Sequence, residues 1–135
     1  MPSAILNRFE QIRAYERLFE SPQPPSVSAL HALRLDCKAL RYSLEPVEHL
    51  LGEEGSEIVQ QMKRLQKLLG DLNDAVVADV RLAELADAVE PTALAAYRAQ
   101  QRSILADLVS SAPEAWRTFV ASENRRRLAV AIAKL

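Results

Sequence analysis

Residues 30–45 read LHALRLDCKALRYSLE, and their spacing decides the fold. Leu30, Leu33, Cys37, Leu40 and Leu44 recur at three- and four-residue intervals, which at about 100° per residue makes one apolar stripe on a helix. Beside it, His31, Arg34, Lys38 and Arg41 fall within an arc of roughly 80°. Leu35 and Tyr42 flank that arc on its other side. A basic ridge on an ordinary solvated face has polar neighbours on both flanks. One set between apolar flanks is expected to point into a cleft or channel built from other helices. Positive charge gathered there is costly unless an anion or a carboxylate offsets it. The four side chains climb about 15 Å along the helix, so a linear polyanion would meet several at once. Arg presents planar forks to phosphate oxygens, Lys a point charge, and His a donor whose charge depends on pH. His31 is therefore expected to take up a proton as an anion binds. The spacing leaves a second reading open: a solvated basic face paired with acids of a neighbouring helix, such as those from Asp71 to Asp74.

The flanking sequence is helical as well. Residues 3–19 carry Ile5, Leu6, Phe9, Ile12, Tyr15, Leu18 and Phe19 in a near 3/4 repeat, which predicts a first amphipathic helix. SPQPPS (21–26) ends it, because prolines lack a donor and disfavour helix before them. Ser26 or Ser28 can cap the second helix, which should run to about Leu51 with a kink at Pro46. On an unbroken helix His49, 18 residues after His31, would return to the ridge line.

The segment GEEG (52–55) predicts a turn, and Ser56 a cap for a third helix that Gly70 interrupts before it restarts at residues 71–74. Glu90-Pro91-Thr92 opens a fourth helix, and SAPE (111–114) matches a capping box for a last one. No alternating strand pattern occurs. The expectation is one all-α domain over residues 1–135, an antiparallel bundle of about four to five helices.

Composition narrows the function. With 135 residues, a hydrophobic fraction of 49% and only 5% aromatics, helix-on-helix packing is favoured over sheet. Net charge is −1, so any steering must come from local fields. The single cysteine, Cys37, rules out an internal disulfide and reads as a small core residue. No secretory leader and no apolar run long enough for a bilayer are visible, so a cytoplasmic protein with no membrane partner is expected.

His31 and Cys37 lie about 120° apart on the helix, and neither H-x-x-x-H nor C-x-x-C spacing occurs, so no metal site is expected. The same separation removes a Cys–His catalytic pair, and no glycine-rich phosphate loop is present. No catalytic residue, enzyme activity or cofactor is therefore expected. Nucleic acid is a poor fit to a mildly acidic chain with few stacking aromatics, and Trp116 reads as core. Lys63, Arg64 and Lys67 read as a solvated outer face. Glu45 should pair locally with Arg41.

At His31–Arg34–Lys38–Arg41–Tyr42, and again in RLQKLLGDLND (64–74), the sequence resembles the CHAD family, the conserved histidine α-helical domains. The close match covers about residues 30–87, and Ala115-Trp116 is also family-like. The resemblance implies two pseudo-symmetric helical bundles with basic helices lining a central groove, and non-enzymatic binding of inorganic polyphosphate. It places His31, Arg34, Lys38 and Arg41 at the anion-facing motif, with Lys63 at a compatible basic position; His49 is a further candidate contact from its spacing after His31 alone. The chain is similar to only the later half of such a domain. A homodimer, or a second CHAD-like half, is the expected complement. The rival expectation is a helical adaptor or oligomerisation domain whose ridge pairs with acidic residues of a partner.

Overall fold

The computed structural model describes residues 2–135. Its elements are α1 (Pro2–Arg13), α2 (Glu16–Glu20), α3 (Val27–Leu44), a 3-10 segment (Glu45–Leu50), α4 (Gly52–Glu84), α5 (Pro91–Val120) and α6 (Ser122–Ile132). Among the described residues there is no strand, and the all-α bundle expected from the periodicity is the architecture observed.

Local chemistry sets most of the boundaries. Ser26 caps α3, its Oγ accepting from the Ala29 N–H at 3.1 Å. The helix ends at Leu44, one residue earlier than a proline kink at Pro46 would place a bend, and the chain tightens into the 3-10 segment. Gly52 then has φ of +69°, a backbone conformation that favours glycine, and this lets the chain reverse into α4. At the start of α5 the Glu90 carboxylate accepts from the N–H groups of Thr92 (3.0 Å) and Ala93 (2.9 Å), with Pro91 in the first turn.

Four expectations about helix ends take another form: α4 begins at Gly52, so residues 52–55 are its first turn and Ser56 lies inside the helix instead of capping it. The helix foreseen over residues 3–19 is divided at Ala14–Tyr15, where a short 3-10 bond from the Tyr15 N–H to the Ile12 carbonyl (3.3 Å) turns the chain. Gly70 does not interrupt α4. An interior glycine costs about 0.5–1 kcal/mol, too little to oppose the burial of Leu65, Leu69 and Leu72 around it. The SAPE stretch opens no helix either. The Ser111 hydroxyl donates back to the Asp107 carbonyl at 2.9 Å, and Pro113 sits inside α5, held there by the burial of Ala112 and Trp116 on either side.

The core is continuous from α1 through α6. Phe9 meets Phe119 edge-on with ring centroids 5.6 Å apart, and Phe19 meets Trp116 at 4.8 Å. The Trp116 indole N–H donates to the Ile12 carbonyl at 2.8 Å, satisfying a backbone group near the end of α1. Buried Asn124 ties the α5–α6 corner, its amide donating to the carbonyls of Thr118 (3.1 Å) and Phe119 (3.0 Å).

α4 and α5 form an antiparallel hairpin. Between Ala75 and Ala112 only Leu94 is buried, so the hairpin's far end stands clear of the bundle as a two-helix arm. The arm is clasped by Asp79, which accepts from Arg98 Nε at 3.1 Å and has Arg102 Nε at 3.8 Å. The hydrogen bond from Arg98 holds the Asp79 carboxyl below the usual carboxylate range, against partial desolvation, and the charges of Arg98 and Arg102 add to the effect. A carboxylate whose pKa is depressed in the folded state stabilises fully above its unfolded value of about 3.9, and that stability is lost as pH falls through the folded value. Asp79→Asn should therefore lower the melting temperature near neutrality and flatten the acid limb of a melting-temperature profile. An acid limb identical to that of wild type would remove Asp79 from this role.

Candidate functional site: the outer face of the third helix

α3 packs against α1 on one side and α4 on the other. Its stripe of Leu30, Leu33, Cys37, Leu40 and Leu44 is fully buried between them. Burial, then the charge of Asp36, pushes the Cys37 thiol up to about 12, so it stays protonated as the core residue its position suggested.

The face beside that stripe carries the ridge. His31 is exposed, and Arg34, Lys38 and Arg41 are half-buried on successive turns of the same helix. Arg41 Nε donates to Glu45 Oε1 at 2.6 Å, the i,i+4 pair anticipated from the sequence. Among the described residues, Arg34 and Lys38 have no carboxylate within ion-pairing distance. They stand four residues apart, so the two like charges repel. The Lys38 ammonium lies 6.0 Å from the centre of the Tyr42 ring, at the outer limit of a cation–π contact.

The expected cleft is not formed by this chain alone. Leu35 is 50% and Tyr42 60% exposed, so the flanks that were to be cleft walls lie open. A helical wheel fixes which residues share a face but not how many helices the chain supplies to cover it. Among the described residues α3 packs mainly on α1 and α4. Asp36, the one acid within α3, lies two residues from both Arg34 and Lys38 and so faces away from the ridge, where it accepts from the Tyr15 hydroxyl at 2.5 Å. Burial and this hydrogen bond both raise the Tyr15 pKa, so the phenol stays a donor. The 3/4 repeat puts Tyr15 on the apolar face of its helix and gives no sign of this polar contact. The signal lay with Asp36, which has no cation three or four positions away, so its partner had to come from another element.

The two remaining candidates lie apart from the ridge helix. His49 sits in the 3-10 segment, exposed, beside a shallow depression lined by Glu45, Glu48, Gly52 and Ser56. Two carboxylates there work against an anion contact. Lys63 is exposed on α4 next to Arg64, while Lys67 pairs with Asp71 at 3.0 Å. The triple arginine run offers little free charge. Arg125 lies 3.5 Å from Glu10, Arg126 2.7 Å from Glu123 and Arg127 3.8 Å from Glu54. Among the described residues no group of His, Cys, Asp and Glu could hold a metal ion, and no helix is long and apolar enough to cross a membrane.

Searches of curated proteins and of solved structures returned no match. A family model does match: the CHAD domain, over residues 2–83. That span starts well before residue 30, taking in α1 and α2 as well as the ridge helix, and reaches almost to the end of α4. With more than half of its length inside that match, the ridge helix included, the chain belongs to the CHAD domain family.

Proposed function

We propose that the chain is a non-enzymatic binding module for inorganic polyphosphate, and that His31, Arg34, Lys38 and Arg41 on α3 are its contact surface. CHAD domains are associated with polyphosphate binding, which supplies the ligand class. The observation that carries the reading is the pair Arg34 and Lys38, one turn apart with no carboxylate in reach among the described residues. Their mutual repulsion is relieved when phosphates lie between them, so the empty face is less stable than the occupied one. The test is a titration with long-chain polyphosphate, pyrophosphate and duplex DNA at matched phosphate concentration. Long-chain polyphosphate should bind tightest, and its affinity should fall steeply as salt rises because bound counterions are released. Equal affinity for DNA would reduce the ridge to a general polyanion surface.

The exposure of Leu35 and Tyr42 supports a protein covering this face as well, either a second copy of the chain or a second CHAD-like bundle. Two ridges face to face repel each other, and a bound polyanion offsets that repulsion. Light scattering at micromolar protein should therefore give a dimer mass with polyphosphate present. A monomer mass both with and without it would leave the open face to a different partner.

A further inference from the structure

A cavity lies away from the ridge, between the proline loop that precedes α3 and one face of α5. Its volume is about 660 Å³, within the usual range for a small-molecule site of about 300–1,000 Å³. The walls are preformed. Pro22, Pro24 and Pro25 make a stiff loop on one side, and Leu105, Val109 and Pro113 make a helical stripe on the other. Phe19 closes the floor, backed by Trp116 at 4.8 Å.

An arginine stands at each end of this apolar groove. Arg102 and Arg117 both line it, 15 residues apart on α5, which separates them by about 22 Å along the helix axis. Of the two hydroxyls in the lining, Ser110 Oγ donates to the Asp107 carbonyl and Ser21 Oγ accepts from the Gln23 N–H. The neutral polar groups left in the lining are the Ser21 O–H and the Gln23 amide, and the charge in it is all positive. Arg117 leans inward, Nη2 donating to the Phe19 carbonyl at 3.4 Å, with Glu114 at 3.8 Å. Arg102 is freer. Its nearest acid, Asp79, already accepts a 3.1 Å bond from Arg98, so Asp79, Arg98 and Arg102 together carry one net positive charge.

We infer that this groove binds an amphipathic monoanion, an unbranched apolar chain with one anionic head, the head on Arg102 and the chain running toward Phe19 and Pro113. Elongated apolar walls match the chain, and the net positive charge of the Asp79, Arg98 and Arg102 cluster at one end matches the head. A polyphosphate has no apolar part to place there, so this site is separate from the ridge.

The test uses dodecanoate below its micelle concentration. Trp116 is the only tryptophan and sits behind Phe19, so its fluorescence reports on the groove floor. Equilibrium dialysis gives an independent count of bound ligand. Dodecanoate should bind saturably at one per chain, and dodecanol, with the same chain and no charge, at least fivefold more weakly. Ala106 is exposed on α5 and lines the groove, so Ala106→Glu should leave the far-ultraviolet circular dichroism unchanged and lower dodecanoate affinity at least tenfold. Arg102→Gln should lower it about fivefold. The inference is overturned if dodecanoate shows no saturable binding, or if Ala106→Glu titrates like wild type. Equal affinities for dodecanol and dodecanoate, or an unaltered Arg102→Gln, would overturn the assigned head position.

Discussion

Replacing Arg34, Lys38 and Arg41 together by alanine should weaken binding of long-chain polyphosphate by roughly 10- to 100-fold while leaving the helix content intact. The magnitude follows from exposure. An accessible cation–anion contact is worth up to about 1 kcal/mol, so three removed together cost about 1.5–3 kcal/mol. Arg34 and Lys38 should account for most of it. Arg41 must first give up its 2.6 Å bond to Glu45, and part of what it gains from a phosphate is spent on that exchange. The fold should survive because the buried stripe of α3 is untouched and alanine is the best helix former. Removing the Arg34–Lys38 repulsion also works in the helix's favour. The dependence of affinity on salt should become shallower in step with the lost contacts. Anisotropy titrations at two salt concentrations read both quantities. Unchanged affinity in the triple variant would favour an adaptor whose ridge meets acidic side chains of a protein partner.

The largest effect on stability is expected at Trp116. Trp116→Ala should cost about 3–5 kcal/mol, a large part of the roughly 5–15 kcal/mol that holds a domain of this size together. Three losses combine. The indole is almost fully buried in the core, it packs on Phe19 at 4.8 Å, and its N–H satisfies the Ile12 carbonyl at 2.8 Å. That carbonyl lies next to the break between α1 and α2, so the tryptophan also fixes where the chain turns. Trp116→Phe separates the contributions. It keeps an aromatic ring against Phe19 but removes the 2.8 Å bond, leaving the Ile12 carbonyl with only the longer 3.3 Å bond from the Tyr15 N–H, at a cost of about 0.5–1.5 kcal/mol plus a smaller cavity loss. Urea unfolding followed by circular dichroism measures both variants. Equal destabilisation by Ala and Phe would place the whole effect in the hydrogen bond.

The ridge helix was legible because several cues agree in one short stretch. An unbroken 3/4 apolar pattern, a serine cap and a basic arc of four residues all require the same helix, and α3 begins one residue after Ser26 as they imply. Glu90-Pro91 was legible for a similar reason: cap and first-turn proline act within three residues of each other. Gly70 and Pro113 misled because each is a local preference set against distant packing. Leu69 and Leu72 beside the glycine, and Ala112 and Trp116 beside the proline, are buried by helices far away in sequence, and that burial outweighs the local cost. The open ridge was hidden for a different reason. Apolar flanks at Leu35 and Tyr42 report that a cover is wanted, and this chain does not supply it. Tyr15 and Asp36 are 21 residues apart, and nothing in the spacing of either segment joins them.

The most direct measurement is a residue-by-residue map of where polyphosphate lands. In a titration of isotopically labelled protein followed by nuclear magnetic resonance, the largest shifts should fall on the amides of residues 30–42, the His31 imidazole and the side-chain nitrogens of Arg34 and Lys38. Lys63 and the arginines of residues 125–127 should move little, and saturation should occur in the same concentration range as the affinity titration. Shifts centred on Lys63 and Arg64, or spread evenly over all exposed cations, would contradict α3 as the binding surface.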